Sequence, residues 1–127
     1  KKEQDALKVF GDDYETADGT GVRDYIHIQD LALGHVSALN KILLGNNFLG
    51  VENINLGTGI GYSVLDLVNT FEEVNKVKVP YTICNRREGD IASAFADPSH
   101  AYNFLSWRSE KNLADMCRDV WRWSNVK

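Results

Sequence analysis

A strand-like run, a glycine-rich turn and an amphipathic helix follow one another between Val51 and Val74, and this order constrains the fold more than any other feature. Val51 to Leu56 (VENINL) predicts a strand, and Gly57 to Gly61 (GTGIG) predicts a turn into a helix that starts at Ser63. Asp66, three residues later, completes a capping pair with Ser63. Apolar residues then recur at helical spacing: Val64, Leu67, Val68, Phe71 and Val74.

The rest of the chain continues this alternation, which is typical of α/β proteins. Strands are predicted at Leu7 to Phe10, Tyr25 to Ile28 and Val79 to Cys84. The predicted helices are one capped by Asp30 that runs to about Leu44 and is closed by Gly45, Asn46 and Asn47, a short one opened by Asp97 and Pro98, and a last one that starts at Asn112 with Asp115. A doubly wound nucleotide domain usually has about six strands, so these few short strands predict the accessory part of a larger α/β enzyme.

The bulk properties narrow the class of partner. The 127 residues carry a net charge of -4, which argues against binding along a nucleic-acid backbone or an acidic membrane surface. No apolar run approaches the roughly 18 residues of a membrane span, and the start, KKEQDALKVF, does not resemble a signal peptide. Cys84 and Cys117 are predicted to be two buried thiols rather than a disulfide, so we expect a reducing, cytoplasmic setting.

Two segments place arginines among aspartates and glycines in this acidic chain: Gly19 to Ile28 (GTGVRDYIHI) and Arg86 to Asp90 (RREGD). A guanidinium can bind two phosphate oxygens at once, and a carboxylate can accept hydrogen bonds from sugar hydroxyls. The second segment also follows a predicted strand, at the end where ligands bind in α/β sheets. The segments therefore predict two halves of a nucleotide-sugar site, and a solvated surface charge cluster is the alternative interpretation of each.

Other motifs favour structural roles. The glycines of the GTGIG turn do not fit a dinucleotide-binding motif, because the position of the third glycine is Tyr62, so we predict a tight turn there. His27, His35 and His100 do not have metal-ligand spacing, and no Ser, His and Asp set suggests a nucleophile. The last third has an aromatic bias, and these residues are predicted to be core rather than a stacking surface: Trp107, Trp121 and Trp123, with Phe104 and Leu105.

Four strings of the sequence are recognisable together: LKVFGDDYETADGTGVRDYIHIQDLALGHVSAL, NINLGTGIGYSVLDLV, RREGDIASAFADPS and LADMCRDVWRW. In one register from about Leu7 to the end of the chain, they resemble the C-terminal part of the UDP-glucose 4-epimerases, which belong to the extended short-chain dehydrogenase/reductase family. DGTGVRDYIH and RREGD are the most specific of these residues. The resemblance implies an α/β fold in which residues 1–127 bind the UDP-sugar, while an N-terminal Rossmann lobe outside them binds NAD.

The same resemblance implies a set of substrate-binding positions: Lys8, Val9, Phe10, Arg23, Arg87, Glu88, Gly89, Asp90 and Ala94. The first three would lie against the uracil, and the two arginines would hold the diphosphate. Asp90 would meet the ribose, and Glu88 and Gly89 would form the turn that aims Arg87 and Asp90 in one direction. Arg86 would support them.

The resemblance further implies that the catalytic residues lie elsewhere. In the family, the N-terminal half carries a glycine motif for NAD, a Tyr-x-x-x-Lys pair and the Ser or Thr that takes part in acid/base catalysis. None of these motifs or catalytic positions has a counterpart in these 127 residues. The family reaction moves hydride from C4 of the hexose to NAD and back to the other face, while the UDP stays anchored. We therefore expect no catalysis by this chain alone, and a homodimer only when the protein is full length.

Ala94 is a second departure from the family pattern. Bacterial-type epimerases have a bulky Tyr at the matching place, near the sugar, and animal-type enzymes have a small Cys. The small side chain predicts room for an N-acetyl group, and so acceptance of UDP-GlcNAc and UDP-GalNAc. Two alternatives stay open at this stage: another nucleotide-sugar epimerase or dehydratase, and a catalytically silent UDP-sugar-binding module.

Overall fold

A computed structural model describes residues 5–44 and 50–126. The strands are β1 (Leu7–Phe10), β2 (Val22–Arg23), β3 (Tyr62–Ser63), β4 (Tyr81–Cys84) and β5 (Ser93–Ala94). The helices are α1 (Ile28–Leu43), α2 (Val64–Asn75), α3 (Ser99–Leu105) and α4 (Leu113–Asn125). This mixed α/β architecture confirms the predicted fold class.

The strands form two small sheets. In the first, β1 and β4 run parallel, with Leu7 opposite Tyr81 and Phe10 opposite Cys84. In the second, β2 lies between β3, to which it is antiparallel, and β5, to which it is parallel. Parallel strands end at the same edge of a sheet, so the residues that follow β1 and β4 are brought together.

Two helix starts follow the capping chemistry predicted from the sequence. The Ser63 hydroxyl accepts from the amide of Asp66 at 2.9 Å, and the Asp66 carboxylate accepts from the amide of Ser63 at 3.0 Å. Asn112 and Asp115 form the same reciprocal pair at the start of α4. Each pair satisfies two backbone donors that a helix end leaves free, and both helix predictions are confirmed.

Helix α1 differs from the prediction at its start. Its N-cap is His27, whose Nδ1 accepts from the amide of Gln29 at 3.0 Å, and Asp30 lies inside the first turn. The buried Asp30 carboxylate instead accepts from the amides of Glu110 and Lys111, which fixes the segment before α4. The residues predicted to close the helix, Gly45 to Asn47, lie outside the described part of the chain.

Two predicted strands are wrong. Val51 to Leu56 is irregular. A β-strand requires a partner strand for its backbone hydrogen bonds, and this segment pairs with none among the described residues. Tyr25 to Ile28 is also not a strand, because β2 ends at Arg23, no described strand pairs with residues 25–27, and Ile28 is already the first residue of α1. Both segments have strand-like composition, and tertiary context decides against it.

The core extends from the contact between α2 and α4 to β1, α3 and the residues that follow them. Its buried apolar residues are Val9, Tyr14, Val68, Ala101, Trp107, Leu113 and Cys117. Phe71 and Trp121 meet edge to face with ring centroids 5.8 Å apart, although Trp121 keeps 37% of its surface exposed. Trp123 is 80% exposed, so only part of the predicted aromatic core is buried.

The cysteine prediction is confirmed in one respect and wrong in another. Both thiols are free, and Cys117 is buried, which raises its pKa. Cys84, the last residue of the otherwise exposed strand β4, is only half-buried. None of the helices in the described residues is long and apolar enough to cross a membrane.

Candidate functional site

The first half of the site forms where β1 and β4 end. Phe10 is the last residue of β1, and Arg87 follows the end of β4 by three residues. The Arg87 guanidinium carbon lies 4.7 Å from the centroid of the Phe10 ring, a distance at which a cation and an aromatic face attract each other. The parallel pairing of β1 and β4 thus joins two segments that are far apart in the sequence.

A tight turn then holds Arg87 and Asp90 side by side. The amide of Asp90 donates to the carbonyl of Arg87 at 3.3 Å, and Gly89 has a φ of +84°, which favours glycine. Arg87 Nε donates to Asp90 Oδ2 at 3.0 Å. Glu88 is exposed at the tip. The turn directs a guanidinium and a carboxylate to the same place, as a phosphate next to a sugar hydroxyl would need.

Arg86 has a different set of contacts from those of Arg87. Its Nε donates to Asp13 Oδ1 at 2.6 Å, a second guanidinium nitrogen donates to the Asp13 carbonyl, and Cζ lies 4.1 Å above the ring of Tyr14. The hydrogen bond from Arg86 lowers the pKa of the Asp13 carboxyl, and the same bond raises the pKa of Arg86. Arg86 therefore ties the turn to the loop after β1, in line with the supporting place predicted for it.

The second half of the site lies on the β2–β5 ladder. Arg23 pairs with Ala94, so the two side chains belong to the same face of the sheet. Arg23 donates from a terminal nitrogen to the Val22 carbonyl at 2.7 Å. The Val22 amide donates to the carbonyl of Ala92 at 2.8 Å, two residues after Asp90. The turn at Asp90 and the arginine on β2 are therefore joined by a short, hydrogen-bonded stretch.

Two of the positions expected at the uracil differ in exposure. The side chain of Val9 is buried in the core, with 1% of its surface exposed, whereas Lys8 is exposed. Phe10 is half-buried and presents its ring to Arg87. The structure thus brings Phe10 to the surface of the site and places the Val9 side chain on its inner side.

Asp24 forms no ion pair with Arg23, its neighbour in the sequence. Its carboxylate accepts hydrogen bonds from the hydroxyl and amide of Thr58 and from the amides of Gly59 and Ala96. Burial raises the pKa of this carboxyl, but the hydrogen bonds outweigh burial and hold the pKa below its usual value. The loop amides of Thr58 and Gly59 are thus already bound to a carboxylate.

The GTGIG loop is a tight turn, as predicted, and it does not fit the pyrophosphate of a dinucleotide. A pyrophosphate would need the loop amides that Asp24 occupies. Within residues 5–44 and 50–126, no group of three or more His, Cys, Asp or Glu side chains is arranged to hold a metal ion.

Comparison with known proteins gives the family. The family model described as GDP-mannose 4,6 dehydratase matches residues 1–120. The chain belongs to this family. A UDP-glucose 4-epimerase from Bacillus subtilis is 57% identical over 122 residues, which are 94% of this chain and 35% of that protein. The chain therefore spans about a third of the length of the relatives that it matches.

Solved structures of the family agree in fold. A UDP-glucose-4-epimerase from Stenotrophomonas maltophila, with bound NAD and formylated UDP-arabinopyranose, is 51% identical with a TM-score of 0.88, and the match covers 94% of this chain and 35% of that one. The enzyme from Bifidobacterium longum, in complex with NAD+ and UDP, is 46% identical with a TM-score of 0.88, over 97% and 36% of the two chains. This family member thus has the fold of the corresponding third of an extended short-chain dehydrogenase/reductase.

Sequence reasoning missed the full role of Asp24. The sequence shows this residue only as a neighbour of Arg23, because its hydrogen-bond donors lie on two segments distant in the chain. The one sequence feature that could have indicated this close packing around Asp24 is the glycine at position 57. A Cβ there would lie 2.5 Å from Asp24 Oδ2 and 2.6 Å from Ala96 Cβ, so this family member needs glycine where the three segments meet.

Proposed function

We propose that this chain is the substrate-binding part of a UDP-glucose 4-epimerase, which interconverts UDP-glucose and UDP-galactose in galactose metabolism. The observation that carries the proposal is the convergence of Phe10, Arg87 and Asp90 at the ends of two parallel strands. An aromatic face, a guanidinium and a carboxylate in one place suit the base, phosphate and ribose of a nucleotide. The identity to named epimerases supports the same substrate class.

Each group has a distinct task in this proposal. Arg87 and Arg23 bind the diphosphate, for which a planar guanidinium supplies two parallel donors. Asp90 accepts from a ribose hydroxyl, and Glu88 and Gly89 shape its turn. Lys8, Val9 and Phe10 line the uracil side. Before UDP binds, Arg87 is paired with Asp90, and the phosphate then takes the place of this carboxylate as its partner.

The anchored nucleotide has a clear physical purpose. Epimerisation at C4 requires that the sugar present both faces to the redox partner while the oxidised intermediate stays bound. Binding energy from the remote UDP holds that intermediate without restricting the sugar. NAD, which would supply the hydride acceptor, is proposed to bind in the rest of the protein, because the GTGIG loop does not fit it. The acid and base residues are placed there too.

Helix α1 supports an arrangement in which residues 1–127 dock on that NAD-binding lobe. The helix buries Asp30 and Gly34 and exposes much of its apolar side: Leu33, Val36, Leu39, Ile42 and Leu43. A helix of a soluble domain normally does the reverse. An apolar cavity of about 440 Å³ also opens between α2, α4 and the start of β1. We propose that the missing lobe covers α1, in a cytoplasmic protein that forms a homodimer when full length.

Ala94 supports a wider substrate range. It is small, exposed and paired with Arg23, so an N-acetyl group next to the sugar would meet little bulk there. We propose that the full-length enzyme also accepts UDP-GlcNAc and UDP-GalNAc. Turnover of UDP-Glc without turnover of UDP-GalNAc would contradict this extension, and Ala94→Tyr should abolish the second activity while retaining the first.

The decisive experiment assays the full-length protein with UDP-galactose and identifies the product by NMR. Formation of UDP-glucose supports the proposal, and a different product would indicate another nucleotide-sugar epimerase or dehydratase. UDP binding without any turnover would indicate a silent binding module. Arg23→Ala and Arg87→Ala should weaken UDP binding, whereas Lys76→Ala at the end of α2 serves as the matched loss of a surface cation.

A further inference from the structure

We propose that Asp24 is a positioning residue of the substrate site, which fixes the spacing between Arg23 and Ala94 by binding the loops that flank them. The inference rests on the proposed function, because it assigns Asp24 to the same nucleotide-sugar site. Asp24 itself does not touch the substrate in this proposal. It acts through Arg23, the residue immediately before it.

The carboxylate of Asp24 has an unusually complete set of donors. Oδ1 accepts from the Thr58 hydroxyl at 2.6 Å and from the Thr58 amide at 3.0 Å. Oδ2 lies 3.0 Å from the amides of Thr58 and Gly59, and 3.3 Å from the amide of Ala96. Hydrogen bonds to an ionised acceptor are stronger than those between neutral groups, so one side chain fixes two separate loops.

These loops are the immediate surroundings of the site. Ala96 is two residues after Ala94, and the main-chain amide of Asp24 also donates to the Ala94 carbonyl at 3.2 Å. Asp24 thus holds β5 against β2 through both its main chain and its side chain. Loss of the side-chain contact would let β5 move relative to Arg23. Ala94, the residue of β5 that is proposed to lie next to the sugar, would move with it.

The arrangement also leaves Arg23 available for an anion. Because amides and a hydroxyl occupy the Asp24 carboxylate, the neighbouring guanidinium forms no ion pair with it. In the described residues, Arg23 donates to the carbonyl of Val22, and no carboxylate lies within ion-pair distance of it. A carboxylate directly beside an arginine would normally compete with phosphate for it. Here the fold removes that competition.

An amide cannot replace the carboxylate in this role. An asparagine side chain at this position would offer a single accepting oxygen, and its NH₂ group would face amide donors on the other side. Asp24→Asn therefore removes the negative charge that strengthens all of these hydrogen bonds, and it places an NH₂ group opposite the Thr58 amide or the Gly59 and Ala96 amides, while preserving the size of the side chain. This makes it the appropriate variant, with Arg23→Ala and the double variant completing a thermodynamic cycle.

The experiment measures UDP and uridine affinity of the full-length protein by calorimetry. Asp24→Asn should weaken UDP binding about tenfold, and it should add no further loss in the Arg23→Ala background. Uridine affinity should stay unchanged in both single variants, because uridine has no diphosphate. A general loss of structure would instead weaken both ligands. If the two losses of UDP affinity add independently, or if Asp24→Asn binds UDP normally, the proposal is overturned.

A second pair of variants tests the proposal should Asp24→Asn fail to fold. Thr58→Val removes the hydroxyl that donates at 2.6 Å but keeps the shape of the side chain, and Thr58→Ser keeps the hydroxyl. Thr58→Val should lower the UDP affinity of the unaltered protein, but it should cause no further loss in the Arg23→Ala background. Thr58→Ser should keep the UDP affinity of the unaltered protein. Equal affinities of Thr58→Val and Thr58→Ser would overturn the proposal. Failure of the unaltered protein to bind UDP would overturn the proposed function first.

Discussion

The guanidinium of Arg87 lies 4.7 Å from the ring centroid of Phe10, and this contact joins the end of β1 to the turn after β4. Neither side chain is far enough buried to be purely structural, since Arg87 keeps 62% of its side chain exposed and Phe10 is half-buried. Their contact instead gives an exposed cation a fixed direction. A preoriented guanidinium loses less conformational freedom when an anion binds.

Replacement of Arg87 tests this directly. Arg87→Ala in the full-length protein should weaken UDP binding by about 1.5–3 kcal/mol, the range for hydrogen bonds to a charged group, and Arg23→Ala should cost a similar amount. Arg87→Lys should retain the charge but lose the bidentate geometry, so its UDP affinity should fall between those of Arg87→Ala and the unaltered protein. Calorimetry provides the measurement. Unchanged UDP affinity in both alanine variants would remove the diphosphate site from this place.

Gly89 provides a separate test of the turn. Its φ of +84° is unfavourable for alanine by about 1–2 kcal/mol, whereas asparagine tolerates the left-handed region better. A Cβ at this position would meet no atom within 4 Å, so backbone conformation alone decides the cost. UDP affinity should therefore fall in Gly89→Ala and be largely retained in Gly89→Asn. The opposite order would show that the turn conformation does not direct Arg87 and Asp90.

Local chemistry was sufficient to predict part of the fold. The starts of α2 and α4 were predictable because Ser63 with Asp66, and Asn112 with Asp115, bind each other's amides within one turn. Strand β1 was predictable from its apolar run ended by Gly11. The two helix starts depend on neighbours in the sequence, whereas β1 was predictable from its composition although its partner β4 is distant.

The predicted strand at Val79 to Cys84 contains β4, but not every segment whose conformation depends on distant partners was predictable. Val51 to Leu56 has the composition of a strand, yet no described strand pairs with it, and its neighbour is instead Gly34 of α1, where a Cβ would lie 2.8 Å from Leu56. The residue types alone predicted a nucleotide-sugar site, and the role proposed for each residue came from family resemblance. The two arginines of RREGD have the same sequence context, but the structure gives Asp13 and Tyr14 to one and Phe10 to the other.

Acid should weaken the loop that leads to Arg23, because it depends on an ionised Asp18. Burial raises the pKa of this carboxyl. Hydrogen bonds from the hydroxyls of Ser63 and Thr20 and from the amide of Thr20 have the larger, opposite effect, so the net pKa lies below the ordinary 3.8. A lowered native pKa means that the stabilisation is present above about pH 4 and is lost as pH falls through the native value.

Urea denaturation of full-length Asp18→Asn at several pH values provides the test. The gap in midpoint between this variant and the unaltered protein should be constant from neutral pH to about pH 5, and it should narrow below pH 4. Glu73→Gln, which removes an exposed carboxylate on α2, is the control and should show no gap. Narrowing that begins near pH 6 would point to a histidine and contradict the role of Asp18.

The exposed apolar side of α1 predicts how the isolated chain behaves. Val36 and Leu39 are 49% and 56% exposed, and contiguous apolar surface of this kind drives association when its partner is missing. The 127-residue chain alone should self-associate in sedimentation velocity, and Val36→Glu with Leu39→Lys should shift it towards monomer. In the full-length protein the same double substitution should lower the thermal midpoint, since the charges would face the covering lobe. A monomeric, sharply melting unaltered fragment would show that α1 needs no cover.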